Sequence, residues 1–110
     1  VRVLVCGGRR YTDYDKLQTA LDKLVITMLI SGGARGADAL AEAYSMHRSI
    51  PMIVYPAEWK KHGLSAGPKR NQQMLDEGKP DLVVACPGGR GTADMVQRSR
   101  KAKLQIIFVT

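Results

Sequence analysis

Three glycine-rich turns, each directly after a short apolar run and before a helical pattern, constrain this chain more than any other feature. They are Cys6-Gly7-Gly8-Arg9-Arg10, Ser31-Gly32-Gly33-Ala34-Arg35-Gly36 and Pro87-Gly88-Gly89-Arg90-Gly91-Thr92. Glycine lets a backbone come close to a ligand and adopt positive φ. A helix that follows such a turn offers unpaired N–H groups and the positive end of its dipole. One turn of this kind is common in α/β proteins. Three, all at strand-to-helix junctions and all carrying arginine, point to a single floor of backbone amides that holds an anion. A nucleotide or another phosphorylated small molecule is the expected ligand.

The turns sit in a repeating strand–helix pattern. Val1–Cys6 reads as a buried strand, and Asp13–Leu24 as a helix with Tyr14, Leu17, Ala20, Leu21 and Leu24 at helical spacing. Thr12 or Asp13 is its expected N-cap. Val25–Ile30 is the second strand, and the helix from Gly36 puts Ala37, Leu40, Ala41 and Tyr44 on one face. Met52–Tyr55 is the third strand, followed by a polar loop over Ala57–Ala66. The helix Gly67–Glu77 is expected to stop at Gly78. Asp81–Cys86, Thr92–Ala102 and Leu104–Val109 complete the series as strand, helix and strand. Strands separated by helices imply an α/β fold: a five-stranded parallel sheet with right-handed crossovers and helices on both faces. With the order 3-2-1-4-5, all three turns open at one carboxyl edge, where ligands of such sheets bind.

At 110 residues there is room for one core and one domain. No run approaches the roughly 20 apolar residues of a membrane span, and no secretory leader is visible. The chain opens at Val1 inside a strand, which leaves open a start further upstream. Cys6 and Cys86 each end an apolar run, with no partner at metal-ligand spacing. They read as reduced, buried thiols of a cytoplasmic protein, and no metal and no cofactor is expected. The net charge of +7 favours anionic partners. Arg9, Arg10, Arg35 and Arg90 lie inside the turns, where a phosphate site needs them. Arg98, Arg100, Lys101 and Lys103 read as a solvated helix end that complements the dipole. Nucleic acid remains a possible partner, because a basic domain attracts it without further specificity.

Familiar nucleotide motifs do not fit. GxxxxGK[ST] is absent, and the first turn lacks GxGxxG spacing. The second strand ends in Ser31-Gly32-Gly33, where a dinucleotide fold places its ribose carboxylate. With only His47 and His62 present, on a helix surface and in a loop, no Ser-His-Asp set is supported.

The segments SGGARGADALAEAY, PAEWKKHGLSAGPKRNQQM and PGGRGTADM, in this order, resemble the YspA/YpsA-related branch of the SLOG superfamily. That superfamily also contains DprA and the LOG cytokinin-activating phosphoribohydrolases. The resemblance covers Val5 to Ile106. It implies a Rossmann-like three-layer sandwich that binds, and sometimes processes, a nucleotide-derived ligand. Ser31-Gly32, Ala34-Arg35-Gly36 and Asp38 match the SGxARGxD signature of the DprA group, and Arg70-Asn71 its RN pair. LOG enzymes build a hydrolytic site from an arginine four residues before a methionine and a later PGGxGTxxE. Arg70 and Met74 keep the first part; Pro87, Gly88, Gly89, Gly91 and Thr92 keep most of the second. The glutamate position holds Met95. The nearest carboxylate is Asp94, one residue earlier and about 100° around the helix. Changing Met95 to Glu would restore the pattern and raise turnover, provided Arg70 points into the pocket.

The expected ligand-binding set is therefore Gly7, Gly8, Arg9, Ser31, Gly32, Gly33, Arg35, Gly36, Asp38, Trp59, Arg70, Asn71 and Pro87 through Thr92, which includes Gly88, Gly89, Arg90 and Gly91. Several members have plainer readings. Arg35 could sit on the surface near Asp38 or Glu42, Arg70 could pair with Asp76 or Glu77, and Thr92 could only cap its helix. Asp38 reads as a brace for its loop, because a carboxylate beside a phosphate site is otherwise unfavourable. Trp59 either anchors the loop or stacks on a base, while Tyr11 and Tyr14 read as packing residues. Three functions stay open. One is a nucleotide-ligand-binding, sensor-like domain. Another is a phosphoribohydrolase acting on nucleoside 5′-monophosphates, with Arg70 orienting substrate and Asp94 catalytic. The last is a DprA-like nucleic-acid-binding module. A homodimer is expected, from the habit of SLOG relatives and from exposed apolar positions such as Met28 and Met46.

Overall fold

The computed structural model describes residues 1–110 as five parallel strands alternating with helices. The elements are β1 (Arg2–Cys6), α1 (Tyr14–Asp22), β2 (Met28–Ser31), α2 (Ala37–Arg48), β3 (Met52–Val54), α3 (Trp59–His62), α4 (Ala66–Asp76), β4 (Leu82–Ala85), α5 (Arg90–Lys101) and β5 (Gln105–Phe108). A 3-10 turn, Gly63–Ser65, joins α3 to α4. The sheet order is β3-β2-β1-β4-β5 with every pairing parallel. This is the α/β three-layer architecture expected from the alternation of patterns.

The central strands are apolar along their whole length because both faces of the sheet are covered. Successive side chains alternate faces. Val3 and Val5 of β1, Leu29 of β2 and Val84 of β4 pack with Leu17, Leu21, Ala41 and Tyr44 of α1 and α2. Leu4, Ile30, Val83 and Ala85 face the other way, against Met74 of α4 and Met95 of α5. Cys86 belongs to the first cluster and Cys6 to the second. The thiols thus lie on neighbouring strands but on opposite faces of the sheet, and both are free.

Several boundaries differ from those read in the sequence. The second strand starts at Met28, because Val25 is 83% exposed and carries the β1–β2 edge only through its carbonyl, which accepts from the Val1 ammonium at 2.7 Å. Met28 is half-buried against the second cluster, so only Met46 of the two expected surface methionines is exposed. Asp13 caps α1 by accepting the Lys16 N–H at 3.1 Å. The polar loop after β3 contains α3 and the 3-10 turn, neither of which buries a side chain. The fourth helix begins one residue earlier, at Ala66, and tolerates Pro68 because first-turn amides need no helical partner. Gly78 is not the left-handed stop; that conformation falls on Lys79 at φ 48°. Gly78 is required for contact: a Cβ there would overlap the Met74 carbonyl. Its own carbonyl accepts from Arg2 Nε at 2.9 Å and from Nη2.

Candidate functional site

All three glycine turns meet at the carboxyl edge of β1, β2 and β4, and one dipeptide ties them together. The Gly8 N–H donates to the Pro87 carbonyl at 2.8 Å. The Gly8 carbonyl accepts from Ala37, the first residue of α2, at 3.1 Å and from Tyr11 at 3.2 Å. Such proximity needs bare glycine. A Cβ on Gly7 would lie 2.6 Å from the Ala37 Cβ and 2.7 Å from the Cys86 Cβ. One on Gly36, where φ is +69°, would strike the backbone of Gly8 and Arg9.

Above this junction lies a cleft of about 1100 Å³. Its floor is Cys6, Gly7, Gly8 and Met95; one wall is the third turn, Pro87 to Thr92, with Asp94; the other carries Trp59, Arg70 and Asn71 from α3 and α4. Arg9, Ala34 and Asp38 also line it. Most of the residues singled out in the sequence therefore converge. Ser31, Gly32, Gly33, Arg35 and Gly36 do not line the cleft. Ser31 is buried, and Arg35 is exposed without an ion pair.

The amides of the turns differ in what they are free to do. In the second turn two are engaged, Gly33 N–H donating to Ser31 Oγ at 3.2 Å and Ala34 N–H to Asp38 Oδ2 at 3.1 Å, and Ala37 N–H, at the start of α2, donates to the Gly8 carbonyl. Asp38 is thus the brace of its loop. In the third turn, the N–H groups of Arg90, Gly91 and Thr92 open α5 with no acceptor in the chain, and no side chain caps that helix. Thr92 is turned instead toward Gly88, whose missing Cβ leaves its Oγ1 room.

Arg70 does not pair with Asp76 or Glu77. Its Nη1 donates to the carbonyls of Gly32 at 2.7 Å and Tyr55 at 3.4 Å, and its Nε to Asn71 Oδ1 at 3.1 Å. Burial makes the guanidinium harder to keep charged, the Asp38 charge opposes this, and the like charge of Arg9 adds to it. Asn71, buried between α4 and α5, donates to the Gly91 carbonyl at 3.2 Å and to Asp94 Oδ2 at 3.0 Å. Asp94 Oδ2 also takes Arg98 Nε at 2.8 Å. Burial alone would raise the Asp94 pKa, but the bonds from Arg98 and Asn71 outweigh it and hold the carboxyl below its usual range. Asp38 is shifted the other way: burial raises it, more than Ala34 and the charge of Arg70 lower it. Two carboxylates therefore share one cleft, one firmly ionised and one reluctant.

Arg9 places its guanidinium 5.7 Å from the centroid of the Trp59 ring, which itself packs on Gly67. Arg10, placed near a phosphate by the charge pattern, lines the cleft, as do Tyr11, Leu64, Gly67 and Pro68, which were not in the expected ligand-binding set. Gly67 and Pro68, side by side at a helix start, were the available signal; Leu64, almost fully exposed, had none.

Burial raises the Cys6 thiol to about 12 and the Cys86 thiol to about 11, with the charge of Asp38 adding to both. Both stay protonated at neutral pH, which excludes thiolate chemistry at this floor. The native protein is expected to react negligibly with a thiol reagent such as DTNB at pH 8, and to titrate two thiols once denatured. Rapid reaction of either cysteine in the folded state would contradict this burial.

The match to known families decides between unrelated folds that share such an edge. Residues 1–62 match the model of the YspA, cpYpsA-related SLOG family. The chain belongs to that SLOG family. It is also 34% identical over 118 aligned positions to the "Gene 61 protein" of Mycobacterium phage D29, covering 96% of this chain and 94% of that protein. The family match ends at the α3 segment, whereas the phage relative is similar across nearly the whole SLOG domain, third turn included. No helix is long and apolar enough to cross a membrane.

Proposed function

We propose that this SLOG domain binds a nucleotide or a nucleotide-derived ligand in the cleft, with a phosphate on the third glycine turn. The observation that carries this reading is the contrast between the turns. The second turn spends the Gly33 and Ala34 amides on its own chain, and its Arg35 and Gly36 do not line the cleft. Arg90, Gly91 and Thr92, at the positive end of α5, have N–H groups without an acceptor in the chain and do line it. Arg90, Arg9 and Arg70 supply positive charge around it. Trp59 offers an aromatic surface at the mouth.

Gly91 provides the test. A Cβ there would meet nothing within 4 Å, and the residue lies in the first turn of α5. Gly91→Ala should therefore stabilise the free domain by about 0.5–1 kcal/mol through helix propensity. If the bare backbone is there for a phosphate, the same change should weaken binding of a nucleoside 5′-monophosphate by about tenfold in calorimetry. A gain in melting temperature with unchanged affinity would remove the phosphate from this turn.

The ionised Asp94 favours a second reading, hydrolysis of the N-glycosidic bond of a nucleoside 5′-monophosphate. A carboxylate held in its charged form suits stabilisation of a ribosyl cation better than it suits proton abstraction. Release of free base by the native protein, abolished in Asp94→Asn, is the result that would carry it. Stable binding without base release supports the sensor-like reading.

A further inference from the structure

We infer that Trp59 and Leu64 form the base subsite of the cleft, on a lid that closes over the nucleobase and favours a purine. The inference rests on the reading above, in which a phosphate sits on the α5 turn, and adds what holds the other end of the ligand.

The stretch from Glu58 to Ser65 is sided. Trp59 and Leu64 line the cleft, whereas Glu58, Lys60, Lys61, His62 and Ser65 do not. The two large apolar side chains of the stretch thus meet at the cleft, although the core does not use them: Trp59 is 45% exposed and Leu64 94%. A single exposed leucine is ordinary on a protein surface. An exposed leucine and the one tryptophan of the chain, on one short segment and at one cleft, make a surface that gains from being covered.

The segment is also free to move. Its hydrogen bonds run within itself and to α4. The Lys61 and His62 N–H groups donate to the Glu58 carbonyl at 3.0 Å, and Ser65 Oγ donates to the His62 carbonyl at 2.8 Å. His62 Nδ1 and Lys69 Nζ lie 3.2 Å apart, and the Trp59 ring rests on Gly67. Neither α3 nor the 3-10 turn buries a side chain, so moving them uncovers no core. Gly63 is the pivot between them, with a positive φ of 59° and open space where a Cβ would stand. Rotation there changes the angle between Trp59 on one side and Leu64 on the other. Across the cleft the Trp59 ring is met by Arg9, whose guanidinium lies 5.7 Å from its centroid. Both residues are exposed, and a cation–π contact in water is weak. A base that takes this face displaces little.

Apolar side chains recognise area and not a hydrogen-bond pattern, and a two-ring base covers more of them than a one-ring base. The subsite therefore selects purines over pyrimidines.

Trp59 is the only tryptophan, so its emission reports the segment directly. Adenosine 5′-monophosphate, cytidine 5′-monophosphate and ribose 5-phosphate should be titrated by calorimetry and by fluorescence in parallel. The adenine nucleotide is expected to bind at least about tenfold more tightly than ribose 5-phosphate and to quench Trp59, with the cytosine nucleotide in between. It should also slow tryptic cleavage after the exposed Lys60 and Lys61, which ribose 5-phosphate should not. Leu64→Ala, at a side chain the fold does not use, should lose about fivefold in affinity for the adenine nucleotide and nothing for ribose 5-phosphate. Equal affinity for the adenine nucleotide and ribose 5-phosphate, unchanged Trp59 emission, or no effect of Leu64→Ala would each overturn the base subsite while leaving the phosphate in place. Unslowed cleavage would overturn the closure, and tighter binding of the cytosine nucleotide would overturn the purine preference. No binding of any of the three would overturn the phosphate reading as well.

Discussion

Replacing Met95 by glutamate is expected to destabilise the domain by about 3–5 kcal/mol and to leave the cleft no more reactive. The substitution is attractive from the sequence, since it completes PGGxGTxxE. The packing of the folded chain argues against it. Met95 is only 1% exposed, packed among Leu4, Ile30, Met74, Val83 and Ala85 beneath the cleft. A carboxylate there loses its hydration, and none of those neighbours can donate to it. The new glutamate would be held neutral, with its pKa raised in the folded state. A carboxyl with a raised folded pKa binds protons more tightly in the native state than in the unfolded one, so stability falls as pH rises. Urea unfolding should therefore show the variant closest to the parent near pH 4–5 and furthest from it at pH 8. A variant as stable as the parent at pH 8 would mean that position 95 swings into the cleft, and would revive the hydrolytic geometry.

Gly36→Ala is expected to be at least as damaging, by about 3 kcal/mol or more, for a reason of shape and not of charge. Gly36 combines a positive φ of 69° with direct contact on the backbone of Gly8 and Arg9. A methyl group there meets the Gly8 carbonyl, already fixed by Ala37 and Tyr11, and the Arg9 carbonyl beside it. Gly63 serves as the internal control: its φ is also positive, at 59°, but open space surrounds it. Gly63, at φ 59° and ψ −137°, shares the backbone conformation of Gly36 without the overlap, so Gly63→Ala should lose only the conformational cost of about 1–3 kcal/mol. Thermal melts of the pair would check this, and equal losses at both sites would show that crowding at the turn junction is not what requires Gly36.

The topology was legible in the sequence because apolar runs and helical periodicity alternate cleanly, and parallel sheets leave few ways to connect such a series. Gly7 and Gly36 could be read as special, but not their reason, since contacts between turns 28 residues apart depend on the sheet order. Arg35 illustrates the limit. Flanked by glycines inside a signature motif, it reads as a phosphate ligand, yet it is Ala34 and not the exposed Arg35 that lines the cleft. A sequence gives the order of residues in a turn but not which way each points. Met95 carries the same lesson from the opposite side. Both it and Asp94 line the cleft, but Met95 is sunk into the core with 1% of its surface exposed, while Asp94 is held at the cleft by Asn71 and Arg98. The segment from Trp59 to Ser65 hid its short helix because it is too brief and too polar for periodicity to show.

Because Gly8 is bonded at once to the Pro87 carbonyl, to the start of α2 and to Tyr11, the three turns form a single rigid unit. Such a floor is inherited whole. A change in any one turn is felt by the other two, so their substitutions will not combine additively. Variation among ligands within this architecture then has one route open to it. It must come from the side chains that rise above the floor, Arg9, Trp59, Arg90 and the residues of the α3 segment, which have few structural duties and are free to diverge.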